Sequence, residues 1–310
     1  MTTMRAVRFH EYGPATNLVV DEIERPAPGA GEVLVKVHAA GVNPIDWKLR
    51  SGILKDYMPL TLPHTGGFDL AGTVEELGSE VTQFKQGDQV FGRGAGAYAE
   101  FAIVNQNNLA AKAAELSFEQ AASIPIGAAT AWAALFDGAQ LESGQRVLIH
   151  GAAGGVGLWA TQLAHWKGAH VIGTASTKNL DFVRDLGADE VIDYTVARFE
   201  DVVSDIDAVI DTVGGEVQER SWPVIKKGGV LVSIAAPASP AVAAEHGVRL
   251  GEYVSQATSD RLTTIARLVV EGTLRTEVGE KFQLDQLAEA HALSETHHGR
   301  GRIVVTVDGS

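Results

Sequence analysis

Residues 146–157 read Arg-Val-Leu-Ile-His-Gly-Ala-Ala-Gly-Gly-Val-Gly, and this stretch restricts the fold more than any other. Val147, Leu148 and Ile149 form a short apolar run, as in a strand buried on both faces. The chain then turns through Gly151, Gly154, Gly155 and Gly157, after which Val156, Trp159, Leu163 and Ala164 recur at helical spacing. Strand, glycine turn and helix in succession predict a dinucleotide-binding turn. Glycines let the backbone approach a pyrophosphate, and the helix N-terminus holds its charge. No Gly-Lys-Ser/Thr ending is present, which argues against a nucleoside-triphosphate loop. A glycine turn alone also serves as a mere tight connection, so the surrounding chain decides.

Downstream, strands are expected at 147–150, 170–174, 190–193, 207–211 and 230–234, and helices at 155–167, 178–186 and 215–226. That alternation predicts a parallel sheet covered on both faces. Val230–Ile234 comes late in the order and is expected at the sheet edge, where it invites pairing with a second copy. Upstream, short strands at 4–9, 33–38, 74–77, 89–91 and 98–104 are separated by glycine and proline, a pattern for a small barrel or sandwich. Ser117-Phe-Glu-Gln120 is a capping box that starts a helix. Pro125 breaks that helix, and a second one runs to about Phe136. The tail carries an expected strand near Val248–Val254, helices at 259–271 and 284–294, and a strand at 302–307. The expected fold is α/β in three segments: 1–124, a doubly wound dinucleotide-binding domain at 125–255, and 256–310 returning to the first domain.

The formal net charge of −14 argues against nucleic acid and anionic membranes as partners. There are no cysteines, which removes disulfides, thiolate metal sites and cysteine nucleophiles together. The longest apolar stretch, Ala121–Phe136, is broken by Pro125 and too short to span a bilayer. No apolar signal core opens the chain, and a cytoplasmic protein is expected.

Several motifs occur in a fixed order: Ala39-Ala-Gly-Val-Asn-Pro-Ile-Asp46, Gly67-Phe-Asp-Leu-Ala-Gly72, Gly127-Ala-Ala-Thr-Ala-Trp132, His150-Gly-Ala-Ala-Gly-Gly-Val-Gly157, Leu186-Gly-Ala-Asp189, Asp211-Thr-Val-Gly-Gly215 and Gly301-Arg-Ile-Val-Val305. Together they resemble the medium-chain dehydrogenase/reductase superfamily, in its zinc-independent, quinone oxidoreductase-like branch. The resemblance implies a GroES-like β-rich catalytic domain interrupted by a Rossmann domain. It implies NADPH-dependent reduction of quinones or activated alkenes, a small electrophilic acceptor as partner, and a homodimer. Related alcohol dehydrogenases place a zinc-binding cysteine where Asn43 stands and a His-Glu pair where Phe68-Asp69 stands; both features are absent. By the same resemblance Asn43 and Thr130 flank the nicotinamide, and Tyr194 adds a hydroxyl to the cofactor site. Many relatives carry a tyrosine shortly after the Asn-x-x-Asp element, where this chain has Lys48, so Lys48 is a candidate to bind the substrate carbonyl or to supply the proton, with solvent as the alternative donor.

Ala153, Gly154, Gly155 and Val156 are the residues expected against the cofactor at the glycine turn, and Val213 and Ala235 come just after predicted strand ends at the crevice of the sheet. NAD-specific sites carry a carboxylate about 20 residues past the glycine turn. This chain instead offers Thr174, Ser176, Thr177 and Lys178, with no acid before Asp181. Hydroxyls and an ammonium suit a 2′-phosphate, so NADPH is expected; Ser176 or Thr177 equally suits a helix cap. Trp47, Tyr57, Phe68 and Tyr253 are candidates for an aromatic substrate pocket, and each alone equally suits core packing. Asn43 is also a turn residue before Pro44, Thr130 a helix-interior hydroxyl and Lys48 a solvated lysine. No metal site is expected: His297-His298 are adjacent, His64 has no partner at ligand spacing, and His150 ends a strand. Asp211 reads as a turn or capping residue before Gly214. A second class of function, an NADPH-binding sensor or structural protein without turnover, shares every one of these features.

Overall fold

The computed structural model describes residues 2–297 and 299–307; His298 lies outside the described residues. The chain forms two compact units, Met1–Ile126 with Ala257–Ser310, and Gly127–Gln256. The first unit opens with β1 (Thr3–Phe9), β2 (Leu18–Glu24), β3 (Glu32–Val42), α1 (Pro44–Arg50), β4 (His64–Thr65), β5 (Asp69–Leu77), β6 (Gln89–Arg93), β7 (Phe101–Asn105), β8 (Leu109–Ala111) and α2 (Phe118–Ala122). β2, β1 and β4 make a three-stranded sheet in that order. α2 begins with the capping box read from the sequence: Ser117 Oγ accepts the Gln120 N–H, and Gln120 Oε1 accepts that of Ser117. β2, β4 and β8 are additions to the expected strands. β2 is largely exposed, and its apolar Leu18, Val19, Val20 and Ile23 follow no strand alternation; β4 and β8 are only two and three residues long.

The second unit runs α3 (Pro125–Trp132), a π-helical stretch (Ala133–Gly138), β9 (Arg146–His150), α4 (Gly157–Lys167), β10 (His170–Ala175), α5 (Leu180–Asp185), β11 (Glu190–Asp193), β12 (Ile206–Asp211), α6 (Glu216–Ser221), β13 (Ile225–Ser233), α7 (Pro240–His246) and β14 (Arg249–Leu250). The sheet order is β11-β10-β9-β12-β13-β14, and every neighbouring pair is parallel. This is the doubly wound order that reverses between its first and fourth strands, here β9 and β12, and ligands bind beyond the strand ends at that reversal. Leu148, Ile172, Val209 and Leu231, one from each central strand, share a core with Phe199 and Trp222. Gly168 closes α4 in the left-handed conformation (φ 83°).

Three expectations in this unit are corrected. β13 is not the edge strand: β14 lies outside it, pairing Val230 with Arg249 and Leu231 with Leu250. The cause is α7, absent from the sequence reading. Ser239 caps its start and Gly247 (φ 67°) ends it, so the chain crosses over and returns alongside β13. The strand expected over 248–254 shrinks accordingly to two residues. The helix expected over 215–226 is also shorter. It gives way to a 3₁₀ turn at Trp222–Val224, and β13 begins at Ile225.

The chain then re-enters the first unit with α8 (Ser259–Val270), β15 (Val278–Gln283), α9 (Leu287–Glu295) and β16 (Arg302–Thr306). β16 pairs antiparallel with β3 and parallel with β15. The sheet so completed runs β15-β16-β3-β5-β6-β8, with β7 paired to β3 off that path. Val35, Val37, Leu70, Val90, Leu109 and Val305 fill its core. β15 is a further addition, because its sequence Val-Gly-Glu-Lys-Phe-Gln is mostly polar and mostly exposed.

In the second unit, Gly157 has the closest backbone approach of any glycine. A Cβ there meets the Gly151 carbonyl oxygen at 2.1 Å and Ala152 Cα at 2.8 Å. Gly157→Ala is expected to destabilise the second unit by about 1–3 kcal/mol through forced backbone displacement, read as a lower urea midpoint for a probe in that unit.

Candidate functional site

The glycine turn leaves β9 at His150 and enters α4 at Gly157. No side chain caps α4; Leu158, Trp159 and Ala160 donate their N–H groups to the Gly154 and Val156 carbonyls, so the donors offered to a ligand are those of the glycine turn just before them. The turn is held from behind. Gly151 N–H donates to Thr174 Oγ1 at 3.2 Å, and Thr174 Oγ1 lies 3.3 Å from His150 Nδ1. His150 Nε2 lies 2.9 Å from Ser221 Oγ, which donates to the Val217 carbonyl at 2.7 Å. Ser221 spends its only hydrogen on Val217, so it accepts from His150 Nε2–H; His150 Nδ1 is then the acceptor for Thr174. Burial pushes His150 down to about 4, so it stays neutral at pH 7. Thr174, expected among the phosphate donors, therefore points into the unit and braces the turn. Ala153, Gly154, Gly155 and Val156 lie on the turn itself, Ala153 buried and the other three half-buried.

Beyond β12, Asp211 makes the turn that its sequence position suggests. Its Oδ1 accepts the N–H groups of Val213 and Gly214 at 2.9 and 2.8 Å, and its Oδ2 accepts from Gln218 at 3.0 Å. Thr212 Oγ1 donates to the His150 carbonyl at 2.7 Å, tying this turn to the end of β9. The structure thus brings Val213 to the glycine turn: a Cβ on Gly151 would meet Thr212 Oγ1 at 2.6 Å and Val213 at 3.4 Å. Ala235 packs beside the same turn, 3.2 Å from the Cβ position of Gly214. Thr130 Oγ1 shares a 2.7 Å hydrogen bond with Ser255 Oγ rather than bonding its own helix. Tyr253 is half-buried, and burial raises its phenol above the usual range.

At the end of β10, Ser176, Thr177 and Lys178 run from half-buried to exposed, and Tyr194 is 52% exposed just past β11. Ser176 accepts from Asn179 Nδ2 at 3.3 Å and makes no helix-capping bond. One group escapes a reading along the chain. Asp193 is paired in register with Ala175, and its Oδ2 accepts from Thr177 Oγ1 at 2.6 Å. The acid absent from the end of β10 arrives from the neighbouring strand. The parallel pairing of the two strands was the available signal.

The candidates on the first unit scatter. Asn43 is 1% exposed. Its Nδ2 donates to Asp69 at 3.0 Å and its Oδ1 accepts from Arg302 at 2.7 Å, while Arg302 also binds Asp69 at 2.9 Å. Asp46 accepts the Asn43 N–H at 2.7 Å and the Tyr98 hydroxyl at 2.8 Å. Trp47 is buried edge-on against His297, ring centroids 5.6 Å apart. Tyr57 is 87% exposed, and Phe68 lies under the Arg93 guanidinium at 5.6 Å. Lys48 is half-buried, its Nζ 5.8 Å from the Trp47 ring. Arg302 and Tyr98 escape a reading along the chain because their partners lie far away in it; Asp46 bonds Asn43 locally and only its contact with Tyr98 is distant. His64, half-buried, packs edge-on to Phe9 at 5.5 Å.

Among the described residues no group of three or more His, Asp or Glu is placed to hold a metal ion, and no helix is long and apolar enough to cross a membrane. A zinc ion does not fit the residues at the positions that resemble the alcohol dehydrogenase ligands. Asn43 and Asp69 both already bind one cation, the Arg302 guanidinium.

Two family models match, an alcohol dehydrogenase GroES-like domain over residues 29–114 and a zinc-binding dehydrogenase domain over residues 186–305. A chloroplastic quinone oxidoreductase of Triphysaria versicolor is 33% identical over 97% of this chain and 98% of its own. An NADPH-dependent alkenal/one oxidoreductase of Arabidopsis thaliana is 34% identical over 97% of this chain and 79% of its own. The solved quinone oxidoreductase of Coxiella burnetii superposes with a TM-score of 0.92 at 36% identity, over 99% of this chain and 100% of that one. Fold and site thus define a GroES-like domain interrupted by a Rossmann domain, and the chain belongs to the zinc-independent, quinone oxidoreductase-like branch of the medium-chain dehydrogenase/reductases.

Burial raises Asp46 to about 7 and Asp69, despite Arg302, to about 6. Both native values exceed the usual carboxylate range near 4, so the folded state holds protons that the unfolded chain releases. Stability from these groups is therefore greatest below about pH 4 and is lost as pH rises through 6 and 7. Asp46→Asn keeps an acceptor for Tyr98 without the buried charge. It is expected to flatten the melting-temperature profile between pH 5 and 8 and to raise the melting temperature at pH 8, measured by scanning calorimetry.

Proposed function

We propose that the protein is an NADPH-dependent, zinc-independent reductase of quinones or activated alkenes such as enones and enals. The observation that carries this reading is the uncapped glycine turn at the reversal of a doubly wound sheet, with hydroxyls and a lysine at the end of the next strand. The relatives' activities on quinones and on alkenals and alkenones support the acceptor class, and the NADPH dependence of the Arabidopsis relative supports NADPH. Bound NADPH supplies a hydride to the acceptor. In this reading the turn residues Ala153–Val156 hold the pyrophosphate, and Lys178 and Tyr194 meet the 2′-phosphate. Val213, Ala235 and Thr130 lie toward the nicotinamide. His150 and Asp211 position the two turns without touching the cofactor. Asn43 serves as a strut through Asp69 and Arg302, and Lys48 or solvent delivers the proton. Tyr57, Phe68 and Tyr253 remain the candidates for contact with a planar acceptor. A cytoplasmic homodimer completes the proposal.

NADPH consumption across quinones, enones and enals tests the activity, and turnover with none of them alongside tight NADPH binding would sink it. Lys178→Ala is expected to weaken NADPH binding about tenfold or more, since a hydrogen bond to a charged group contributes about 1.5–3 kcal/mol, and to leave NADH within about twofold. Turnover is expected to survive exhaustive dialysis against a chelator; loss of activity that zinc restores would show the assignment wrong.

A further inference from the structure

Both oxygens of Asp193 are occupied. Oδ2 accepts from Thr177 Oγ1 at 2.6 Å; Oδ1 accepts from Thr195 Oγ1 at 2.6 Å and from Thr195 N–H at 2.9 Å. A threonine hydroxyl has one hydrogen to donate. Thr177 and Thr195 both spend theirs on this carboxylate, so the 3.0 Å contact between the two hydroxyls has no hydrogen left to share. Toward any further ligand the two oxygens present lone pairs, the wrong polarity for a phosphate. The bonds from Thr177 and Thr195 hold the Asp193 carboxyl below the usual range, so it is an anion across neutral pH. Asp193 also ends β11 in register with Ala175, the last residue of β10. That strand end is where a doubly wound sheet meets the adenosine ribose, and where a carboxylate favours a free 2′-hydroxyl over a 2′-phosphate. Lys178 follows Thr177 in the chain and is exposed, and Asp181, three residues further on, is paired with Arg184 at 2.6 Å.

We propose that Asp193 is a specificity-determining residue that holds the NADPH preference down, by placing a fixed anion beside the 2′-phosphate position and by turning the Thr177 hydroxyl away from it. The proposal rests on the cofactor site described above. It makes the preference a balance: Lys178 draws the phosphate in, and Asp193 opposes it. The opposition is electrostatic and solvent-exposed, so it weakens as salt is added.

The test is titration calorimetry of the wild type, Asp193→Asn, Thr177→Val, Asp181→Asn and Lys178→Ala with NADPH, NADH, 2′,5′-ADP and 5′-AMP, at low and high salt. Binding is read directly, so the outcome does not depend on turnover. Asp193→Asn is expected to tighten NADPH and 2′,5′-ADP about three- to tenfold, to leave NADH and 5′-AMP within about twofold, and to lose that gain at high salt. Thr177→Val keeps the anion and is expected to give no tightening. Equal weakening of all four ligands by Asp193→Asn would make the residue a clamp for the β10–β11 end and overturn the proposal. So would an equal gain from Asp181→Asn, which would reveal only a general field. If Lys178→Ala weakens NADPH while Asp193→Asn moves neither dinucleotide, the cofactor site stands and the role of Asp193 falls. If neither substitution moves NADPH, the site assignment falls and this inference with it.

Discussion

The first unit depends on one buried ion pair. Arg302, on β16, binds Asp69 at the start of β5 and Asn43 at the end of β3, within a network that includes Asp46 and Tyr98. A buried ion pair adds little net stability over an apolar replacement, but removing one partner costs about 3–5 kcal/mol because the other charge is stranded. What such a pair contributes is register. The guanidinium must reach two side chains on two strands at once, and a slip of one residue in β16 turns it to the other face of the sheet. By resemblance, zinc-dependent relatives use the Asn43 and Asp69 positions around a metal. Here a side-chain cation fills the same electrostatic role, and the metal chemistry goes with it.

The second unit is built on different physics. Its strands are covered on both faces, and its turns are fixed by backbone hydrogen-bond acceptors and by close approach. Gly157 nearly touches the Gly151 carbonyl, and Asp211 gathers two N–H groups. The chain of bonds from Gly151 N–H through Thr174, His150 and Ser221 to the Val217 carbonyl connects the glycine turn to α6. Each member has one hydrogen to give in it, so the chain runs in one direction and fixes the imidazole tautomer.

This contrast explains how much is legible in the sequence. Doubly covered strands are apolar runs, so β9, β10, β12 and the apolar end of β13 are legible, as are the capping box at Ser117 and the glycine turn. β2 and β15 are not, because exposed strands carry no hydrophobic period. α7 is hidden by its short, alanine-rich sequence, and without it β13 falls at the edge. In the site, groups contributed by one local stretch are legible: the glycine turn and the turn-making role of Asp211. Groups joined across the fold are not. Arg302 is 233 residues from Asp69, and Asp193 reaches Thr177 only because two parallel strands end together. Trp47 suits a pocket by its type, and its contact with His297, just past the end of α9, comes only from the packing of α1 against α9.

The pairing of β16 with β3 also imposes an order in time. The second unit is one contiguous stretch, so it can fold while the ribosome is still translating the remainder of the chain. The first unit cannot. Until residues 302–306 emerge, β3 lacks a neighbour in its central sheet, and Asp69 is a carboxylate without its cation. Its half-built sheet must wait, with an open edge, through the synthesis of more than half the protein. The chain's earliest strands are thus among the last to reach their native state, and the interval belongs to chaperones rather than to catalysis.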